Sequence, residues 1–277
     1  MRRFSERNGY VDLASLERPE WISEHTRNRL WSIVFMQVFE RFNRAAEIRH
    51  NIKLKLYCEK VWYQFFRYPI DAIPKYSGDA AAEIKAFMLQ GVWYEVFDFV
   101  EFNLAKFSAN NGWQGFVKSI NRALEEERSA YRVVGGMVTL LRDVEETAEI
   151  KQAIDNDGPF AASSAHLKAS LALYSKRPDP DYRNAIKEAI SAVESACAII
   201  SGSNKDTLGQ TLKKIDGLHP AMRDSFQKLY GYTSDGSGIR HAMLEEAEIS
   251  NAEARFMIVA CSAFVNYLID STKSKIA

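Results

Sequence analysis

The run Tyr131-Arg-Val-Val-Gly-Gly-Met-Val-Thr-Leu-Leu141 decides the fold, because it interrupts a chain that is otherwise helical in pattern. β-Branched and apolar residues flank Gly135-Gly136, and paired glycines supply the positive φ angles of a two-residue hairpin turn. The run therefore predicts a β-hairpin. Since an isolated hairpin is only marginally stable in water, we expect it to lie on a helical domain.

Before the hairpin, apolar residues recur with the spacing of helices. Leu30, Val34, Val38 and Phe42 fall four residues apart and predict one long helix, and a second pattern predicts a single helix from about 79 to 107. The aromatic content of these segments is high. The first part of the chain is therefore predicted to be an aromatic-rich, all-α domain.

After the hairpin the pattern is helical again. Asp179-Pro180 predicts a helix start, with Asp179 as the N-cap, and Ser250 with Glu253 forms a capping box before a last helix. The predicted fold class is mainly α: two helical domains joined through a small β-hairpin, the second a helical bundle. The predicted limits are 1–118 for the N-terminal domain, 119–157 for the linker region with the hairpin, and 158–277 for the bundle.

Composition indicates a soluble globular protein. The 277 residues include 36 Lys and Arg against 36 Asp and Glu, and the pI is about 7.0, which argues against a general nucleic-acid coat but not against a local basic site. The N-terminus lacks an apolar signal core, and the most apolar stretch, 30–39, is too short to span a bilayer. We expect a cytoplasmic protein with no membrane association.

Cofactor and metal motifs do not occur in the sequence. It has no Walker A loop, GxGxxG, GxSxG or HExxH, and its histidines at 25, 50, 166, 219 and 241 lack metal-ligand spacing. Three cysteines, Cys58, Cys197 and Cys261, are widely spaced, and no CxxC occurs. We therefore expect reduced thiols, no cofactor and no bound metal.

The candidate catalytic residues are Arg240 and His241, which follow a loop carrying three glycines. An arginine holds a phosphate bidentately, and a histidine moves protons near neutral pH. In a functional interpretation, His241 abstracts a 2′-hydroxyl proton or protonates the leaving 5′-oxygen, while Arg240 stabilises the phosphorane-like transition state. The pair could then cleave RNA without a metal.

A structural interpretation of the same pair stays open. There, Ser234 or Asp235 caps a helix, Arg240 pairs with a carboxylate such as Glu245 or Asp235, and His241 is a half-buried polar residue. Adjacent residues on a helix also point about 100° apart, so both side chains face one site only at a helix end or where a second subunit completes it.

Several strings of the chain resemble abortive-infection proteins of the AbiJ type. The C-terminal part resembles their HEPN-like domains, and the N-terminal part resembles the helical domain that accompanies them. The strings that carry the resemblance are 181–194, 229–235, 238–242, 253–257 and 261–267 in the C-terminal part, and 4–10 and 27–31 in the N-terminal part.

The resemblance implies anti-phage abortive infection, an α-helical HEPN fold and a homodimer formed through the C-terminal bundle. Many HEPN proteins are metal-independent endoribonucleases in which an arginine is followed by four to six residues and then a histidine. This chain departs from that pattern, because Arg240 and His241 are adjacent and no histidine follows Arg183 or Arg223 at the required spacing. Glu188 and Glu194 either add polar groups from a neighbouring helix or lie on its solvated face.

Two hypotheses of different classes follow. The first is an antiviral defence protein whose HEPN-like effector cleaves RNA, with Arg240 binding phosphate and His241 as acid and base. The second is a non-catalytic sensing or interaction module that binds a phage or defence-system protein. Surface aromatics would favour the second hypothesis, with Trp62, Tyr63, Trp93, Tyr94 and Trp113 as the candidates. RNA binding without cleavage, with strong salt dependence, is a third hypothesis.

Overall fold

A computed structural model of the chain describes residues 4–8, 10, 16–39, 52–107, 113–141, 143–156, 158–176, 179–202, 207–215, 217–234 and 249–276. Within these ranges the fold is mainly α-helical with a small two-stranded hairpin, which confirms the predicted fold class. The chain divides into two compact units, Met1–Arg142 and Asp143–Ala277. The domain limits at 118 and 157 stay a prediction.

In its described residues, the N-terminal unit holds six helices and two strands. Two helices, α2 and α3, end in π-helical turns, and a 3-10 turn precedes α4. The elements are α1 (Phe4–Arg7), α2 (Glu24–Val34) with the π turn Phe35–Phe39, α3 (Ile52–Lys60) with the π turn Val61–Phe66, the 3-10 turn Ile70–Ala72, α4 (Ser77–Gln90), α5 (Trp93–Phe107), α6 (Trp113–Glu126), β1 (Arg132–Val134) and β2 (Met137–Thr139).

The predicted apolar stripe of α2 forms part of the core. Leu30, Val34 and Val38 are each 0 % exposed, while Phe42 lies outside the described residues. Ser23 caps the start of α2 by accepting a hydrogen bond from the amide of Thr26. The stripe is therefore confirmed as far as the described residues reach.

The single helix predicted over 79–107 is wrong, because Gly91 divides it into α4 and α5. The Gly91 amide donates to the carbonyl oxygen of Phe87, and a Cβ at Gly91 would lie 2.6 Å from that oxygen. The backbone then turns extended, and Glu95 accepts a hydrogen bond from the amide of Val92 at the start of α5. Apolar spacing continues across this break, so the periodicity does not reveal it.

The hairpin forms where the sequence predicts it. Gly135 and Gly136 have φ angles of 59° and 87°, as the tight turn requires. The strands are antiparallel, with the pairs Arg132–Thr139, Val133–Val138 and Val134–Met137.

Side chains from two helices hold the hairpin on the N-terminal unit. The Glu101 carboxylate on α5 accepts a hydrogen bond from the Val138 amide at 2.6 Å, and the Asn121 amide group on α6 bonds both backbone groups of Val133. The expectation that the hairpin lies on a helical domain is confirmed.

The C-terminal unit is all helical in its described part. A 3-10 turn (Gly158–Phe160) leads into its second helix. Its helices are α7 (Val144–Ile154), α8 (Ala161–Ser175), α9 (Tyr182–Ser201), α10 (Leu208–Lys214), α11 (Pro220–Ser234) and α12 (Asn251–Ile276).

Side-chain caps set the starts of these helices. The predicted capping box is confirmed, since Ser250 Oγ accepts from the Glu253 amide and the Glu253 carboxylate accepts from the Ser250 amide. The predicted N-cap Asp179 is wrong by two residues. Asp181 is the N-cap of α9, and its side chain accepts from the Asn184 amide at 3.0 Å.

Helix α12 is the one helix among the described residues whose length and composition would let it cross a membrane, over Asn251–Thr272. More than half of that window is buried within the structure, as for the core helix of a helical bundle. Its fully buried residues include Ala254, Cys261, Val265 and Leu268.

Candidate functional site

The predicted pair Arg240 and His241 lies in 235–248, outside the described residues. Their proposed roles therefore stay a prediction. The structure describes the chain on both sides of this segment: α11 ends at Ser234, and α12 begins at Asn251 behind its capping box.

Within the described part of the C-terminal unit, His166 and Glu188 form a histidine–carboxylate pair, here called the dyad. Nδ1 of His166 on α8 lies 2.7 Å from Oε2 of Glu188 on α9, a hydrogen-bond distance. The two side chains are 41 % and 34 % exposed. The dyad is therefore held between two helices and still accessible to a solute.

Two buried serine hydroxyls fix the register of the helices that carry the dyad. Ser163 Oγ donates to the carbonyl oxygen of Ala192 at 2.8 Å, and Ser170 Oγ donates to that of Ala185 at 2.6 Å. One bond lies about a turn before the dyad along α8, and the other about a turn after it. A side chain as short as serine reaches a neighbouring backbone only where the two helices lie close together. The close contact of α8 with α9 therefore fixes the position of His166 relative to Glu188.

The dyad has the arrangement of an oriented acid–base group. When Nδ1 carries the ring proton, it donates a hydrogen bond to the Glu188 carboxylate. Nε2 of His166 is then the unprotonated, basic nitrogen. No described residue hydrogen-bonds Nε2. A carboxylate on one ring nitrogen fixes the tautomer and the orientation of the ring, which leaves the other nitrogen for proton transfer. The same pair also serves as a tie between α8 and α9, and a half-exposed ion pair contributes about 0–1 kcal/mol to stability.

Glu188 is one of the two glutamates for which the sequence left open a polar role or a place on the solvated helix face, and it contacts His166. Sequence reasoning gave His166 no role, because 22 positions separate it from Glu188. A usable signal did exist: serines at 163 and 170 face the alanine-rich helix α9, and small residues seven apart indicate a close helix pair. Glu194 lies six residues further along α9 and is half-buried.

A second polar cluster ties the start of α12 to the end of the α8–α9 pair. The hydroxyl of Tyr174, which is 1 % exposed, donates to Asn251 Oδ1 at 3.3 Å. Asn251 Nδ2 in turn donates to the Tyr182 hydroxyl at 3.1 Å. Tyr174 lies eight residues beyond His166 on α8, about 12 Å along the helix axis. The cluster fixes the start of α12 against the ends of α8 and α9 that it contacts.

The described residues hold no group of three or more His, Cys, Asp or Glu side chains arranged to bind a metal ion. All three cysteines are buried free thiols. Burial raises the pKa of Cys58 to about 11 and the pKa values of Cys197 and Cys261 to about 12. These thiols are therefore protonated at neutral pH and poor nucleophiles.

The five aromatic residues predicted to form an interaction surface differ in how exposed their side chains are. Trp62 is 1 % exposed and Trp93 is half-buried, whereas Tyr63 and Tyr94 are 66 % and 50 % exposed. The side chain of Trp113 lies outside the described part. Of the four described side chains in this set, the two tyrosines are exposed and the two tryptophans are at least half-buried.

A family model described as AbiJ N-terminal domain 4 matches residues 2–156, more than half of the chain. No curated protein matches the chain, and no solved structure does. The family match confirms the resemblance of the N-terminal part, while the HEPN-like assignment of the C-terminal part stays a prediction.

Proposed function

The chain belongs to the AbiJ N-terminal domain 4 family, which links it to abortive infection as a defence against phage, and from this premise we propose that its C-terminal unit is a metal-independent, HEPN-like endoribonuclease. The observation that carries the proposal is the dyad, in which Glu188 orients the imidazole of His166 at 2.7 Å. It supplies an acid–base group on a rigid helix pair, in addition to the two residues predicted from the sequence.

The proposed reaction is transesterification of the RNA backbone. The 2′-oxygen attacks the adjacent phosphorus while a base takes its proton, and the bond from phosphorus to the 5′-oxygen breaks as an acid protonates that oxygen. The products are a 2′,3′-cyclic phosphate and a 5′-hydroxyl. The step therefore needs one base, one acid and a cation for the phosphorane charge.

The chain offers two imidazoles and a guanidinium for these roles. We assign one proton transfer to His241 and the other to His166, with Glu188 as the residue that positions His166. Arg240 binds the phosphate. His241 lies ten positions before Asn251, and a chain of that length spans up to about 33 Å. Connectivity therefore allows His241 to reach the dyad from the start of α12. A second subunit is the alternative source of His241.

The proposal includes a homodimer formed through α12. One face of this helix carries apolar residues at a spacing of three or four that remain exposed or half-exposed, namely Ala252, Phe256, Val259, Ala260, Ala263 and Tyr267. Phe256 is 60 % exposed and Tyr267 37 %. Apolar helix faces of this kind are typical of subunit interfaces.

A second candidate function is a non-catalytic sensing or interaction module for a phage or defence-system protein. The observation that favours it is the exposed pair Val92 and Tyr94 at the start of α5, 46 % and 50 % exposed. Tyrosine is common at binding hot spots. In this case the dyad is only a tie between helices.

The decisive experiment is cleavage of a fluorescent RNA at neutral pH with EDTA present. Wild type would be compared with R240A, H241A, H166A and E188Q, and with H219A as the matched control. His219 is an exposed histidine of the same unit whose Nδ1 caps α11 by accepting from the Ala221 amide. We expect loss of cleavage by about 10²-fold or more in H241A and H166A, and full activity in H219A. Far-UV circular dichroism and Tm would confirm that each variant is folded.

Equal cleavage by H166A and wild type would remove His166 from the mechanism and leave Arg240 and His241. Absence of cleavage by wild type, together with phage protection that survives H241A and H166A in cells, would establish the non-catalytic alternative.

The dimer is tested separately by sedimentation velocity. F256D is expected to yield monomers, whereas A161D, which adds the same charge at an exposed position on α8, is expected to leave the dimer intact. A monomeric wild type would contradict this part of the proposal.

A further inference from the structure

The N-terminal unit carries an open cleft where the π turn after α3 ends. It is lined by Tyr63, Gln64, Arg67, Tyr68, Pro69 and Ile70 and has a volume of about 670 Å³. This volume falls within the range of ligand sites, roughly 300–1,000 Å³. Tyr63, Tyr68 and Ile70 remain 66 %, 53 % and 50 % exposed, so the cleft is open along its length.

Arg67 is held in this cleft by an unusual backbone conformation. It ends the π turn with φ 57° and ψ 34°, the left-handed region that glycine prefers. The Tyr68 amide donates to the carbonyl oxygen of Trp62 at 2.9 Å and closes the helix end, as in a Schellman cap. A non-glycine residue is strained in this region, because its Cβ lies too close to the backbone. Glycine would adopt this conformation with less strain than arginine does, and Glu20 and Arg128 share the left-handed region.

The guanidinium of Arg67 is available to a ligand. No described residue forms an ion pair or hydrogen bond with it, and its side chain is exposed. The stretch from 54 to 76 is locally basic in a chain of zero net charge. It holds four cationic residues against two acidic ones, namely Lys55, Lys60, Arg67 and Lys75 against Glu59 and Asp71. Lys55 pairs with Glu59 at 3.9 Å, so the remaining excess is positive.

Two tyrosines line the cleft together with this cation, and the ring of one of them is fixed in place. Tyr68 stacks on Phe66, with 5.3 Å between ring centroids and 25° between planes. Phe66 in turn packs edge-on against Trp62 at 5.3 Å and Phe87 at 5.1 Å. Tyr68 therefore presents one face of its ring from a rigid aromatic base, while Tyr63 lies one turn before Arg67.

We propose that the Tyr63–Arg67–Tyr68 cleft binds single-stranded nucleic acid. Unpaired bases would stack on the tyrosine rings, and a backbone phosphate would bind Arg67. Stacking platforms combined with a positively charged groove are how proteins hold single strands without reading sequence. An open cleft favours a polymer that passes through it over a small ligand, which would need walls around it. The inference is independent of the proposed cleavage, because it concerns the N-terminal unit and binding alone.

The test is fluorescence anisotropy with a labelled, unstructured 2′-O-methyl RNA of about twelve nucleotides. This strand lacks the 2′-hydroxyl that the proposed cleavage requires, so the probe stays intact and the anisotropy reports binding whether or not the protein is a nuclease. Y63A and Y68A are each expected to weaken binding about ten-fold or more. Y94A removes an equally accessible tyrosine that does not line the cleft, and we expect it to bind as wild type does.

Arg67→Gly separates binding from folding. Glycine adopts the left-handed conformation without strain, so R67G is expected to have a Tm equal to or above that of wild type. It is also expected to bind the strand about five-fold or more weakly and to lower the slope of log affinity against log salt by about one. A variant that is more stable but binds less well cannot be explained by unfolding.

Three outcomes would overturn the proposal. Unchanged binding by Y63A, Y68A and R67G would exclude the cleft as the binding site for the strand. A protein partner would then be the ligand expected for the exposed tyrosines. Duplex RNA bound as tightly as the single strand would exclude base stacking. A mononucleotide that competes as strongly as the twelve-mer would assign the cleft to a free nucleotide.

Discussion

Asn121 takes the place of a neighbouring strand for Val133. Its Nδ2 donates to the Val133 carbonyl oxygen at 2.8 Å, and its Oδ1 accepts from the Val133 amide at 2.7 Å. An asparagine side chain has the same donor and acceptor as a peptide unit, so one residue of α6 satisfies both outward-facing backbone groups of a strand residue.

Asn121→Ala is expected to lower the free energy of unfolding by about 1–3 kcal/mol, because two backbone groups that are part-buried lose their partner. Denaturant unfolding followed by circular dichroism measures this change. The matched control is R122A, the next residue of the helix. Arg122 is 76 % exposed and pairs only with Glu126 among the partners described, so we expect a change within about 0.5 kcal/mol. Equal effects of both variants would contradict the anchoring role.

The carboxylate of Glu101 makes the stability of the N-terminal unit depend on pH. Burial is the main cause that raises the pKa of Glu101, and the nearby Asp98 adds to it, while the hydrogen bond from the Val138 amide opposes it. The folded state therefore holds its proton to higher pH than the unfolded chain. The stability associated with the protonated carboxyl is lost as pH rises from the ordinary value of 4.5 through the raised pKa.

Glu101→Gln keeps an oxygen for the Val138 amide and removes the titration. We expect E101Q to become more stable relative to wild type as pH rises from about 4.5 to 8, measured as the difference in urea midpoints at each pH. Glu125→Gln, an exposed carboxylate on α6, serves as the control and should leave that pH dependence unchanged. A pH-independent difference for E101Q would contradict the assignment.

Substitutions at Gly91 and Gly78 test the break between α4 and α5, with Gly78 as the control position. A methyl group at Gly91 would lie 2.6 Å from the Phe87 carbonyl oxygen, whereas one at Gly78 meets nothing within 4 Å. Gly91→Ala is expected to destabilise by about 1–3 kcal/mol through forced backbone movement. Gly78→Ala in the first turn of α4 is expected to stabilise by up to about 1 kcal/mol. Thermal unfolding of both variants tests the opposite signs.

The buried cysteines report separately on the two units. Because Cys58, Cys197 and Cys261 are each 2 % exposed or less and have raised pKa values, a thiol reagent modifies them only when the unit opens. We expect Cys197 and Cys261 to be labelled at the same rate, because both lie in the C-terminal unit. Cys58 is expected to be labelled at a different rate, which is set by the opening of the N-terminal unit. Pulsed alkylation with mass spectrometry measures these rates. S225C, at an exposed position on α11, supplies the rate of an accessible thiol, and rapid labelling of any native cysteine would contradict the burial.

Local patterns predicted the elements whose determinants lie close together in sequence. The hairpin follows from Gly135-Gly136 and its flanking residues, and the start of α12 follows from Ser250 and Glu253. The dyad could not be predicted in this way, because its two residues are distant in sequence and meet only through the alignment of α8 with α9. That alignment is set by short serine side chains that reach a neighbouring backbone, and neither helix encodes it alone. The break at Gly91 was missed for a third reason, since glycine is compatible with an apolar helical pattern as well as with its end.

The way the hairpin is anchored also determines which partners it can recruit. A strand with free outward-facing amides and carbonyls is a template for strand addition, and therefore for aggregation. Here Asn121 satisfies both of these groups at Val133, and Glu101 satisfies the outward amide at Val138. β-Augmentation at Val133 or at the Val138 amide would first require α5 or α6 to move away. A partner of the N-terminal unit is therefore expected to bind through side chains on its helices, and the native hairpin is protected from edge-to-edge polymerisation.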